Sequence, residues 1–360
     1  MNKQKSKNSK LVAAVGGDKN EFELTRAMIH LMNEMSHNHQ SSSSLPFTPT
    51  PLLTYMQQHV NTDILRHGDQ HDVHEFLQYL LHQLHDELKL SSTHDVDHHM
   101  DKNLEQNDNF NDDYDNLDDD SSEDEWQEVG QNQKVNIVHK VHTHEQSPIS
   151  DLFAGRMRSV IRKRRSGVGS LVVQPFYSLH LPIVAHHHHH HHHRDHERSD
   201  KRSHHKDGDG DGDGILSIED SLRMITAREE LDGHLASSMQ IEVETVPRIL
   251  VLQLIRFEYV DHRCVKIGRH VRFSRELYLD RHVISSVRIR EKDPSRYFDL
   301  RAVICHHGTE ASGGHYSTFV RCGGRDHQWF HVDDQTVQRV DLEHVLSSQA
   351  YVLLYERRQC

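Results

Sequence analysis

Apolar positions along the 360-residue chain fall into periodic blocks, separated by two stretches of strongly biased composition without such a period. In Glu21–Met35, the residues Phe22, Leu24, Met28, Ile29, Leu31 and Met32 form a broad stripe with helical spacing. Asp72–Leu90 repeats the pattern more clearly with Val73, Phe76, Leu77, Leu80, Leu81, Leu84 and Leu88. Asp72 stands where a helix cap belongs, and Glu75, three residues on, would complete a capping box. Farther along, Phe153–Ile161 and Leu171–Leu181 read as strands around the basic turn Arg162–Arg165. Ile218–Glu230 reads as a helix. Arg248–Phe257 is an almost unbroken apolar run, as in a strand covered on both faces. Tyr297–Cys305, His315–Cys322, Trp329–Val332 and Ala350–Tyr355 complete the predicted strands. Helices first and an antiparallel-looking sheet afterwards predict an α+β fold.

Composition explains the two gaps. Between Asp95 and Glu128 there are 15 acidic residues and one lysine, a local charge of −14. Charge this dense repels itself, so residues 91–146 are expected to form a disordered insert. The second gap, residues 186–214, opens with eight histidines and closes with the Asp-Gly run Asp207–Gly214, a low-complexity loop. Hydrophobic content is 34%, below the roughly 45–50% of an ordinary globular chain, which fits a partly unfolded sequence. The remaining blocks are a basic tail over 1–20, helices over 21–90, strands over 147–185, and a larger unit over 215–358.

The net charge of −13 belongs to the acidic insert; the rest of the chain sums to +1. That balance argues against a basic nucleic-acid binder. No stretch approaches the ~18 apolar residues that would cross a bilayer, so no membrane association is expected. The four cysteines include no CxxC pair, which argues against a disulfide scaffold and against a cysteine-ligated zinc. The N-terminus lacks the features of a signal peptide, and a reducing compartment is expected, the cytoplasm with the nucleus as a second location.

Chemistry concentrates near the C-terminus. Gly313 and Gly314 precede His315 at the start of a predicted strand, and the next strand runs into Asp333 and Asp334. Neighbouring strands could set Asp333 against the His315 ring, fixing its tautomer and leaving one nitrogen to serve a nucleophile. The two glycines would allow close approach of a substrate. A simple surface pair is the other reading of the same spacing.

The stretches AVICHHGTEASGGHYSTFV, WFHVDDQTV and AYVLLYERR resemble the His box of ubiquitin-specific proteases. Gln70–Phe76 with the helix after it, and Arg248–Phe257, are similar to further segments of that family, in the same order. SEDEWQEVG, SPISDLFAGRMRSVI, VVQPFYSLHLPI and SLRMITAREELDGH are similar to one subgroup of it, that of ubiquitin carboxyl-terminal hydrolase ten. The resemblance implies a papain-like cysteine protease fold with thumb, palm and fingers. It implies hydrolysis of the isopeptide bond after the C-terminal Gly of ubiquitin, with ubiquitin and ubiquitinated proteins as partners. By the same resemblance, His315 is the general base, Asp333 orients it and Asp334 supports. His306–Ser312, including His306 and His307, would form a blocking loop over the ubiquitin tail. Gly313, Gly314 and Tyr316 would line the channel.

One part of the pattern is missing. The family nucleophile lies in a Gly-Asn-x-Cys segment, and the cysteines here are Cys264, Cys305, Cys322 and Cys360. None opens a predicted helix, where a thiolate would be stabilised. The segment around Met28–Met35 is similar to family sequence that follows the Cys box, so the expectation is a chain that begins downstream of its nucleophile, with part of the thumb truncated. A base without a nucleophile cannot carry out acyl transfer, and the chain as given is expected to be inactive. A ubiquitin-binding pseudoprotease is the alternative, and a His-rich metal-buffering protein a third reading. No cofactor and no metal site are expected. Asp209–Gly214 imitates half of an EF-hand loop, but its twelfth position is Asp220 rather than Glu. Helical histidines His74, His82 and His85 are expected on exposed faces.

Overall fold

The structure, a computed structural model, describes residues 22–38, 48–59, 72–93, 138–141, 146–163, 167–183, 216–231, 237–260, 263–284, 294–310, 313–322 and 328–358. In chain order these form helices α1 (Glu23–Asn38), α2 (Thr50–His59) and α3 (Val73–Thr93), strand β1 (Val138–Val141) and helix α4 (Pro148–Phe153). Strands β2 (Gly155–Lys163), β3 (Gly167–Phe176) and β4 (Leu179–Pro182) precede helix α5 (Ile218–Ile225). Strands β5 (Glu229–Leu231), β6 (Ser237–Thr245), β7 (Ile249–Ile255), β8 (Phe257–Val260), β9 (Arg263–Lys266) and β10 (Glu276–Tyr278) come next. The chain closes with β11 (Tyr297–His307), β12 (His315–Arg321), β13 (Trp329–Asp333), β14 (Thr336–Val340), helix α6 (Leu342–Leu346) and β15 (Ala350–Arg357).

Two sheets and a helical group organise these elements. The larger sheet has the order β14-β13-β12-β11-β15-β7-β4, with β10 paired to β11. It is antiparallel apart from the β4–β7 pair. A second sheet has the order β1-β3-β2-β6-β5, and β8–β9 form a separate hairpin. The main core lies on one face of the larger sheet, where Leu250, Leu252, Leu254, Phe298, Leu300 and Tyr355 are buried against α5 and the following loops. The opposite face carries Val251, Tyr351 and Val352, and receives Val73 and Leu77 of α3. This alternation is what a period of two demands of a strand buried on both sides.

Local chemistry sets the helix starts. Asp72 caps α3, its Oδ1 accepting from the amides of His74 (2.8 Å) and Glu75 (3.1 Å). Its second oxygen accepts from the Tyr351 hydroxyl, so the cap also ties α3 to β15. Glu87 of α3 accepts from the amides of Leu24 and Thr25 and from the Thr25 hydroxyl, closing the first turn of α1 from outside.

Several expected elements are corrected. The strand read from Phe153 begins at Gly155, because Pro148–Phe153 is a helix with Ser147 as its cap and Ser150 completing a capping box. The Ser-Pro start was its signal. Leu171–Leu181 is two strands of different sheets, parted at Tyr177 and Ser178. The helix read as Ile218–Glu230 ends at Ile225, and Glu229 and Glu230 join β5. Asp220, the twelfth residue of the imitated calcium loop, instead closes a capping box with Ser217. Asp209–Gly214, like the basic tail and the histidine tract, lies outside the described residues. The insert expected over 91–146 contributes β1, which pairs in parallel with β3. The apolar run to Phe257 is broken at Arg256, a buried residue that turns the chain from β7 into β8.

Candidate active site

The site lies where β11, β12 and β13 end together. β11 pairs with β12 through His307↔His315, and β12 with β13 through Thr318↔Val332. Asp333 follows Val332 by one residue, so its carboxylate reaches diagonally across to the start of β12. There Asp333 Oδ1 accepts from Nε2 of His315. This bond holds the His315 ring and raises its pKa from 6.5, while the same bond lowers that of Asp333. Asp334 adds a smaller attraction to the imidazolium. It sits in the turn to β14 with φ of 48°, a left-handed conformation that Asp tolerates.

With Nε2 committed to Asp333, the second ring nitrogen, Nδ1, is the one left for proton transfer. Both side chains are partly exposed, 43% for His315 and 40% for Asp333. His307 stacks on His315 with ring centres 5.9 Å apart, and its Nε2 meets the Ser317 hydroxyl at 2.7 Å. Burial first, and then the charge of His315, lowers the pKa of His307.

His306 points to the other face of the sheet and meets Phe257 (5.3 Å) and Tyr316 (4.9 Å) edge to face. Burial, then the nearby Asp72, pushes the Tyr316 phenol up to about 12. Gly314 is required by the chain's own packing. A Cβ there would collide with the His306 ring and the His307 carbonyl, whereas one on Gly313 would meet open space. Gly308 turns the loop with φ of 103°. Ala311 and Ser312 of the blocking loop lie outside the described residues.

The sequence-predicted residues thus divide. His315, Asp333, Asp334, His307 and Gly313 gather at the strand ends, and His306 and Tyr316 join the aromatic group against α3. Asp72 and Tyr351 were not singled out as site residues, yet their bond joins helix to sheet beside Tyr316. The only sequence signal was the position of Asp72 before a helix. The helical histidines are corrected too. His74 and His85 are each 5% exposed, held by Ser178 and Ser147 respectively, and only His82 faces outward. Cys305 is buried in β11 and burial pushes its thiol pKa up; Cys264 lies in β9, and Cys322 is exposed just past β12. Among the described residues no cysteine is hydrogen-bonded to His315. The donors of His315, Asp333 and Asp334 lie within 4.8 Å of one another, but His315 spends its nearer nitrogen on Asp333.

The family model for ubiquitin carboxyl-terminal hydrolases matches residues 1–355. The chain belongs to that family. It is 30% identical over 299 residues to ubiquitin carboxyl-terminal hydrolase 24 of Arabidopsis thaliana, covering 80% of this chain and 46% of the relative. To ubiquitin carboxyl-terminal hydrolase 10 of Rattus norvegicus it is 29% identical, covering 83% of this chain and 36% of the relative. The chain therefore spans less than half the length of these curated relatives. Among solved structures it is similar to the Ubp8-Sgf11-Sgf73-Sus1 SAGA DUB module, with a TM-score of 0.60 and 20% identity over 98% of this chain and 61% of that one. A form of that module bound to monoubiquitin gives 0.56 and 20%, over 86% and 53%. At this identity the likeness speaks for the fold: mixed helix and sheet, papain-like as in the ubiquitin-specific proteases.

Proposed function

We propose that this chain is the base-bearing part of a deubiquitinating cysteine protease that hydrolyses the isopeptide bond after the C-terminal Gly of ubiquitin. The observation that carries this reading is the His315–Asp333 pair, bonded through Nε2 and open at Nδ1. A thiol brought to Nδ1 loses its proton to His315, and the thiolate attacks the isopeptide carbonyl. The imidazolium, stabilised by Asp333, then gives that proton to the departing lysine amine. Water, deprotonated by the same nitrogen, cleaves the thioester and returns the thiol with a free ubiquitin carboxylate. Membership of the family and the ubiquitin-bound form of a structural relative support ubiquitin as the partner.

The nucleophile is not among the residues placed beside His315. In one form of the reading, a Gly-Asn-x-Cys segment in a longer version of the polypeptide supplies it. In the other, the chain binds ubiquitin without cleaving it, which is favoured by the burial of Cys305 and by the absence of a cysteine bonded to His315 among the described residues. Calorimetry of the 360-residue chain with ubiquitin tests what both share. Saturable binding is expected, weakened when the two C-terminal glycines of ubiquitin are removed; no binding overturns the proposal. Labelling of the same chain by a ubiquitin-based thiol probe would exclude the binding-only form and identify a nucleophile among the four cysteines.

A further inference from the structure

Beside the His315–Asp333 pair, the same face of β11–β13 borders a cavity of about 360 Å³. Lys266, His307, His331, His344, Ser348 and Gln349 stand around it, with Cys305 and Phe319 as its apolar part, and among the described residues no carboxylate lines it. The Lys266 ammonium donates to the carbonyls of His306 and Gly308, each at 2.8 Å. An ammonium has three donors, so one remains. Arg256, close enough for its charge to act on both Lys266 and Cys305, is 1% exposed. It donates to the carbonyls of Ala350 (2.5 Å), Ile267 (3.0 Å) and Arg269 (2.9 Å), and its Nη2 has no partner.

Carbonyls satisfy these donors without cancelling their charge. Among the described residues neither cation makes an ion pair with a carboxylate, and buried charges ordinarily have one. Cys305 does not supply the missing charge, since burial disfavours its thiolate. The Lys266 ammonium therefore stands at the wall of an open cavity, with the charge of Arg256 buried nearby and no carboxylate among the described residues that line it. Its volume falls within the ~300–1,000 Å³ of small-molecule sites, larger than a bare ion needs.

We infer that this cavity binds a small phosphate monoester, with the phosphate on Lys266 and its apolar substituent against Phe319 and Cys305. A dianion answers the Lys266 ammonium, with the nearby charge of Arg256 added, better than a single carboxylate does. His331 and His344, both packed on Phe319, would supply ring donors along the way in. The occupant would touch His307, the ring stacked on His315, so binding and proton transfer would meet at one side chain. The inference rests on the cavity and its charges and stands apart from the ubiquitin reading.

Phenyl phosphate is the probe, titrated into the full 360-residue chain while the histidine ring resonances are followed by NMR. Saturable shifts of His307, His331 and His344 are expected, with affinity falling at least tenfold in Lys266→Met. His344→Ala, an exposed position, guards against misfolding of the lysine variant and is expected to weaken binding severalfold. Inorganic phosphate should compete, and phenol should not bind. Absence of saturable shifts, equal binding of phenol, or unchanged affinity in both variants would each overturn the site.

Discussion

At the scale of single residues, the His315–Asp333 bond fixes the pH range in which the site is organised. His315 gains a partner on folding, so its stabilising contribution is complete below about pH 6.5 and is lost as pH rises through its raised pKa. Asp333 contributes above its ordinary carboxylate range, and that contribution is lost as pH falls through its lowered pKa. The pair is charged between those limits. Asp333→Asn should therefore return the His315 titration toward 6.5 in an NMR pH series, and an unchanged midpoint would mean that another group holds the ring. Asp72→Ala tests a second bond set. Loss of a cap alone costs about 1 kcal/mol, and here the Tyr351 hydroxyl loses its acceptor as well, keeping only the bond it receives from Gln253. Urea unfolding should show a larger decrease than for Glu75→Ala, whose side chain is exposed.

At the scale of elements, the β11–β12 connection depends on close approach at one glycine. Gly314→Ala drives a methyl into the His306 ring and the His307 backbone, and overpacking of this kind costs ~1–3 kcal/mol. Gly313→Ala meets nothing and should leave the thermal midpoint almost unchanged. Equal destabilisation by the two would refute this account of the loop. From sequence, the two glycines were visible, but not which was structural, because that depends on where the His306 ring lies. The same limit explains the misread elements. Runs of apolar residues located α1, α3, β11, β12, β13 and β15, and in β11 and β12 burial follows the alternation of a strand. Periodicity missed the helix at Pro148, whose six residues are too short for a period, and ran across Arg256, whose Nε and Nη1 donate to carbonyls of other segments. His315 and Asp333 were legible because consecutive strands brought them together. The buried state of His74 and His85 was not, since their serine partners are 104 and 62 residues away.

At the scale of the whole molecule, the helices meet the larger sheet through polar groups that acid should disturb. Burial, and then the neighbouring His180, lowers the His74 pKa to about 4, with Asp72 opposing. The unfolded chain takes up this proton near pH 6.5 and the folded chain only near 4, so stability should decline across that window as pH falls. His74→Gln should flatten the decline in denaturation midpoints measured from pH 7 to 4; an unaltered slope would place the sensitivity elsewhere. Deleting His186–His205 should leave the thermal midpoint and ubiquitin affinity unchanged, and loss of either would give that tract a structural or binding role. The Asp72–Tyr351 bond spans 279 residues of sequence. The entropy of closing so long a segment grows only with the logarithm of its length, by about 0.6 kcal/mol for each doubling. Fifty residues added between these two anchors therefore alter the closure term far less than the same fifty would in a short hairpin. A fold fastened across such a distance can accept long, compositionally odd insertions between its fastening points, and this chain carries two.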